Sequence, residues 1–60
     1  MRFMSLKEVM HKTSLARATI YLYMKNGEFP KSVSLLKYRV AWLEEEVNDW
    51  MKKRLVDRNL

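Results

Sequence analysis

The chain has 60 residues, with 12 Lys and Arg against seven Asp and Glu for a net charge of +5, one His and no Cys. A chain this short buries only about 60% of the surface its unfolded form exposes, so residues 1–60 read as one domain without a deep catalytic cleft, and with no Cys and only His11 neither disulfides nor a zinc site can staple it. No apolar run reaches the roughly 18 residues of a membrane span, and Lys7 interrupts MRFMSLKEV where a signal peptide would be uniformly apolar, so a soluble, cytoplasmic protein without a membrane partner, cofactor or metal is expected.

Ser5-Leu6-Lys7-Glu8 fits a capping box, and Leu6, Val9 and Met10 recur behind it at helical spacing. The first helix therefore runs to about Lys12, where Thr13-Ser14 interrupt the stripe and His11 lies at the exposed end. A second helix is expected from about Arg17 to Asn26, with Ile20, Tyr23 and Met24 on one side and Arg17, Ala18, Tyr21, Leu22 and Lys25 projecting elsewhere. Gly27 closes it, because glycine takes the left-handed conformation after a helix without steric cost, and Lys25 in the last turn suits the dipole. About four residues link the two helices, which forces an angled pair of the helix-turn-helix kind.

After Phe29-Pro30 the period changes. Val33 and Leu35 alternate with Ser32 and Ser34, and Val40 and Trp42 alternate with Arg39 and Ala41, predicting two short strands around a tip at Leu36-Lys37-Tyr38. LEEEVNDWMKKRL then predicts a third helix, whose stripe is Leu43, Val47, Trp50, Met51 and Leu55. Glu44, Glu45 and Glu46 in its first turns and Lys52, Lys53 and Arg54 near its end have the polarity a helix dipole favours. Three consecutive glutamates on a helix point different ways, so they read as a solvated face and not as a metal cluster. Trp42 and Trp50 are expected to fill the core.

Helix, turn, helix, basic hairpin, helix is mainly α with a small β-hairpin, the plan of a winged helix-turn-helix. Up to Val40 there are eight basic residues against two acidic, and beyond it four against five, so the positive field belongs to the first two-thirds of the chain. That asymmetry points to a polyanion, nucleic acid first. B-DNA's major groove admits one α-helix, whose first turns reach the base edges. Arg17, Ala18 and Tyr21 occupy the corresponding arc of the second helix, where Arg17 can bond a guanine or a phosphate, Ala18 can touch a thymine methyl, and the Thr19 hydroxyl can reach a phosphate. The chain has no nucleophile-base pairing, no Gly-rich phosphate loop and no metal-ligand spacing, which argues against an enzyme. A rival class is a protein-interaction module presenting Tyr21, Leu22 and Tyr23.

LKEVMHKTSLARATIYLYMKNGEFPKSV followed by VAWLEEEVNDWM resembles the AlpA family of small regulators from prophages and genomic islands, relatives of MerR-type and excisionase winged helices. The most specific parts are Thr19 to Tyr21, the Gly27-Glu28-Phe29-Pro30-Lys31 turn, and Trp42, Glu46, Val47 and Trp50. The resemblance covers about Phe3 to Lys53. It implies a DNA-binding regulator of integrase or excision genes, or an excision directionality factor that bends an attachment site. The implied partners are double-stranded DNA, an integrase, and further copies of the chain on DNA in the bacterial nucleoid. The expected contacts are Arg17, Ala18, Thr19, Tyr21 and Lys25 on the second helix, Lys31 after it, and Lys37, Tyr38 and Arg39 at the hairpin. The chain departs from the family at Ala16, where a small polar residue is usual, at Leu22, where a basic one is usual, and at Leu36 and Tyr38, which stand where the wing usually has Gly and Arg.

Overall fold

Ser5 and Glu8 cap the first helix reciprocally: the Ser5 hydroxyl accepts from the Glu8 amide at 3.1 Å and the Glu8 carboxylate accepts from the Ser5 amide at 3.0 Å. In the computed structural model, which describes residues 1–58, this helix is α1 (Leu6–Thr13), preceded by β1 (Phe3–Met4). It is followed by α2 (Arg17–Lys25), β2 (Val33–Leu36), β3 (Arg39–Leu43) and α3 (Glu44–Asp57). Three helices with an antiparallel hairpin give the winged helix-turn-helix that the periodicities predict. The last two positions of the expected 1–60 domain lie outside the described residues.

The C-terminal ends of α1 and α2 are closed by local chemistry. At the end of α1 the Thr13 hydroxyl donates to the Val9 carbonyl at 2.7 Å and accepts from the Leu15 amide at 3.3 Å. Ser14 takes a left-handed conformation, φ 63°, and its amide donates to the Met10 carbonyl at 2.8 Å. Three residues, Ser14 to Ala16, thus reverse the chain without a glycine. At the end of α2, Gly27 at φ 74° allows its amide to reach the Met24 carbonyl and the Glu28 amide to reach that of Tyr23 at 2.7 Å, the paired bonds of a Schellman motif.

The sheet has a strand that sequence periodicity does not reveal. β3 is central, with β1 antiparallel on one edge, Phe3 opposite Leu43 and Met4 opposite Trp42. β2 is antiparallel on the other edge, with Val33 opposite Ala41, Ser34 opposite Val40 and Leu36 opposite Arg39. The register slips between Ser34 and Leu36, leaving Leu35 as the extra residue of a bulge. Lys37 and Tyr38 alone form the tip, and neither has positive φ, so the tip is not one of the mirror-image turns that glycine usually supplies. The bulge takes up the resulting mismatch.

Met4, Val9, Ile20, Phe29, Trp42 and Val47 make the core, one side chain from every element but β2, with Phe29 from the loop after α2. Trp42 is fully buried and its indole Nε1 donates to the Pro30 carbonyl at 3.0 Å. Trp50 is half-buried: it meets Phe29 edge-on with ring centroids 4.9 Å apart, and its Nε1 donates to the Glu28 carbonyl at 2.6 Å. Three expectations need correction. Leu55 is 54% exposed, since α3 outruns the surface it packs on. All of β2 is exposed, because it is an edge strand and the sheet's buried residues, Met4, Ala41 and Trp42, belong to β1 and β3. Glu44 does not belong to a freely solvated face; it joins Arg2 at 2.8 Å and Lys12 at 3.9 Å.

Candidate nucleic-acid interface

At about 100° per residue, the inward side of α2 is set by buried Ile20 with half-buried Met24 and Tyr23, and the opposite arc is centred on Ala18 and Leu22. Arg17, Tyr21 and Lys25 run one turn apart along one border of that arc, and Thr19, half-buried, lies on the other. The structure brings the Arg17 border to the wing. A surface groove between α2 and the hairpin is lined by Arg17, Tyr21, Leu35, Leu36, Tyr38 and Arg39. Ala18, Thr19, Lys25, Lys31 and Lys37 do not line it: Ala18 and Lys25 are exposed further round the helix, Lys31 is exposed beyond the Gly27–Pro30 loop, and Lys37 is exposed at the tip.

The charges sort themselves by partner. Among the described residues, Arg17, Lys25, Lys31, Lys37 and Arg39 take part in no ion pair, so their fields are open to solvent. Lys37 has its ammonium 5.5 Å from the centre of the Tyr38 ring, a weak cation-π contact that leaves the charge available. Arg2, by contrast, is committed, bonding Glu8 at 2.6 Å and Glu44 at 2.8 Å. The Glu8 bond is the largest cause that raises the Arg2 pKa above its ordinary value. Glu8 is held below the ordinary carboxylate value, first by the backbone bond from Ser5 and then by the Arg2 guanidinium. Apart from Glu28 in the loop after α2, the acidic groups lie on α1 and α3, and the α2–wing face is left cationic.

Two features of this face escape a reading by periodicity, and a third does not. Phe3 and Val40 line the same groove as Arg17, because β1 and β3 form its floor, and a two-residue strand has no period to detect. Leu35 reaches it as the bulged residue; the Val33-Leu35 alternation names it as a strand residue but not as the one left unpaired. Leu22 is 53% exposed at the centre of the helical arc, a position legible from the spacing of Ile20 and Met24. Ala16 supplies no side-chain cap to α2, in keeping with its departure from the usual small polar residue.

The fold and this face define a winged helix-turn-helix protein with an uncompensated cationic surface shared by helix and wing. Residues 2–55 match the family of the prophage CP4-57 regulatory protein AlpA, and the chain belongs to that family. It is 49% identical over 57 residues to the uncharacterized protein ORF88 of Enterobacteria phage P4, an alignment covering 95% of this chain and 65% of that protein. It is also similar to the DNA-binding transcriptional activator AlpA of Escherichia coli strain K12, 36% identical over 59 residues, covering 88% of this chain and 84% of the relative. The chain therefore spans less than two thirds of the phage protein's length.

Proposed function

We propose that this protein is a sequence-specific DNA-binding regulator of a prophage or genomic island, acting without catalysis on double-stranded DNA at a promoter or attachment site in the bacterial nucleoid. The observation that carries the proposal is the groove joining Arg17 and Tyr21 of α2 to Tyr38 and Arg39 of the wing, whose cations have no counter-ion among the described residues. In this reading the first turns of α2 enter the major groove, where Arg17 bonds a guanine; Thr19, Lys25 and Lys31 meet phosphates, and Lys37 and Arg39 clamp the backbone beside the groove. Family membership and the E. coli relative support a regulator; integrase and excision genes are the proposed targets, an integrase is a proposed partner, and copies assemble side by side on DNA.

A second reading is favoured by the wing tip. Leu36 and Tyr38 are 64% and 88% exposed, and apolar side chains at a protruding tip can wedge between base steps and bend the duplex. That is the action of an excision directionality factor. Mobility-shift titrations at several salt concentrations test the common ground: phosphate contacts give a steep log-log loss of affinity, with a slope of about −0.9 per phosphate, whereas an apolar protein interface gives none. Arg17→Ala is expected to weaken a specific site by about 1–3 kcal/mol and random DNA by less. Equal loss on both would reassign Arg17 to a phosphate, and a flat salt dependence would favour the protein-interaction module.

A further inference from the structure

The exposed arc of α2 carries an unusual set of side chains for a helix that reads DNA. Between Arg17 and Lys25 there is no Asn, Gln, Asp or Glu. In the major groove, adenine is read by the amides of Asn and Gln, cytosine is read by carboxylates, guanine by Arg or Lys, and the thymine 5-methyl by apolar side chains. α2 therefore has dedicated readers for guanine and for thymine and lacks the amides and carboxylates that read adenine and cytosine, with only the half-buried Thr19 hydroxyl beside them. Its two apolar candidates, Ala18 and Leu22, stand at the centre of the arc with no protein surface over them: Ala18 is exposed and Leu22 is 53% exposed.

Resting on the DNA reading above, we infer that Leu22, with Ala18 one turn before it, is a specificity residue that recognises thymine 5-methyl groups in the major groove, so that the target pairs thymines with the guanine under Arg17. Three observations carry this. Leu22 and Ala18 share one face, about 6 Å apart along the helix axis, close to two base-pair rises of about 3.4 Å each; they fit methyls on neighbouring or next-neighbouring base pairs. Cations border the pair, Arg17 and Lys25 on the same helix, and neither is in an ion pair. Charge complementarity thus commits the face to a polyanion, and a duplex is the polyanion that presents apolar methyls within a groove. Finally, a leucine has no donor or acceptor, so at this position it adds nothing to phosphate binding and acts only by burying apolar surface.

The test separates the methyl from every other property of the base. Sites are selected from a library of duplexes with a random core, using the whole chain, and the enriched duplex is then made with deoxyuridine in place of each thymine in turn. Uracil keeps the hydrogen-bonding edge and lacks only the methyl. The expected result is enrichment of thymine beside guanine, and a loss of roughly 4-fold in affinity for each contacted methyl removed, the worth of one methyl-sized group buried. Leu22→Ala, whose fold is checked by circular dichroism, should bind the thymine and uracil duplexes alike at Leu22's position while keeping the wild-type salt slope. Leu22→Gln should move the preference there toward adenine, since it restores an amide reader. Equal wild-type affinity for thymine and uracil duplexes overturns the inference while leaving DNA binding intact, as does a Leu22→Ala protein that still discriminates. Failure to bind any duplex overturns the DNA reading itself, and loss of a protein partner on Leu22→Ala in its place assigns the face to protein.

Discussion

Glu8 serves two structures at once. One carboxylate oxygen closes the capping box on the Ser5 amide, and the other holds the Arg2 guanidinium, which also bonds Glu44 at the start of α3. Glu8 and Arg2 together therefore tie the N-terminal segment, the first helix and the third helix, although both lie at the surface. Because both bonds favour the ionised form, the folded-state pKa lies below the ordinary value of 4.5, and the sign of the consequence follows: the stabilisation is present above that value and is lost as pH falls through the lowered one. Thermal melts from neutral into acid pH should show the wild-type midpoint falling more steeply than that of Glu8→Gln, which cannot titrate. Parallel curves for the two proteins would remove Glu8 from the acid sensitivity. The Ser5–Glu8 half of this arrangement is legible in four consecutive residues. The Arg2 and Glu44 half is not, because it joins side chains 42 positions apart that only the pairing of β1 with β3 brings together.

At the scale of elements, legibility follows whether the determinants are local. α1 begins and α2 ends where capping chemistry predicts, since Ser5, Glu8 and Gly27 act within one turn of themselves. β1 is two residues long and exists only because β3 offers it an edge, so nothing within Phe3-Met4 announces it. The wing falls between these cases. Its strands are visible as alternation, but the slip that makes Leu35 extra arises from closing a two-residue tip without positive φ, a property of the pairing and not of either strand. Lys37 sits in that tip and Arg39 follows it, and Arg39 alone of the two lines the groove. If each neutralises one phosphate, the Lys37→Ala/Arg39→Ala protein should show a salt slope flatter by about 2 with specificity little changed. A folded double mutant with the wild-type slope and affinity would exclude the wing from the interface. Tyr38→Ala should lower affinity at an unchanged slope, because its ring carries no charge.

For the whole molecule, six side chains make the core, and the two tryptophans divide the work unequally. Both are legible as apolar bodies at inward positions, but periodicity alone does not rank them, because exposure depends on what lies opposite. Trp42 is fully enclosed, whereas Trp50 closes the core's edge against Phe29 with one side toward solvent. Trp42→Ala should cost about 3–5 kcal/mol, enough to unfold a chain this small at room temperature, and Trp50→Ala should cost less. Urea titrations followed by circular dichroism rank them, and a Trp50→Ala protein less stable than Trp42→Ala would reverse the assignment of the centre. The same two indoles grip the loop that leaves α2 from opposite sides, one at the Pro30 carbonyl and one at the Glu28 carbonyl. Trp42 belongs to the wing's central strand and Trp50 to α3, so the exit of α2 is tied to both, like one jaw of a caliper fixed to its frame. If α2 and the wing read DNA as proposed, a caliper so set is fitted by what it measures: part of the compliance in a complex falls to the duplex, and the sites held best are those whose grooves reach the set width at least elastic cost.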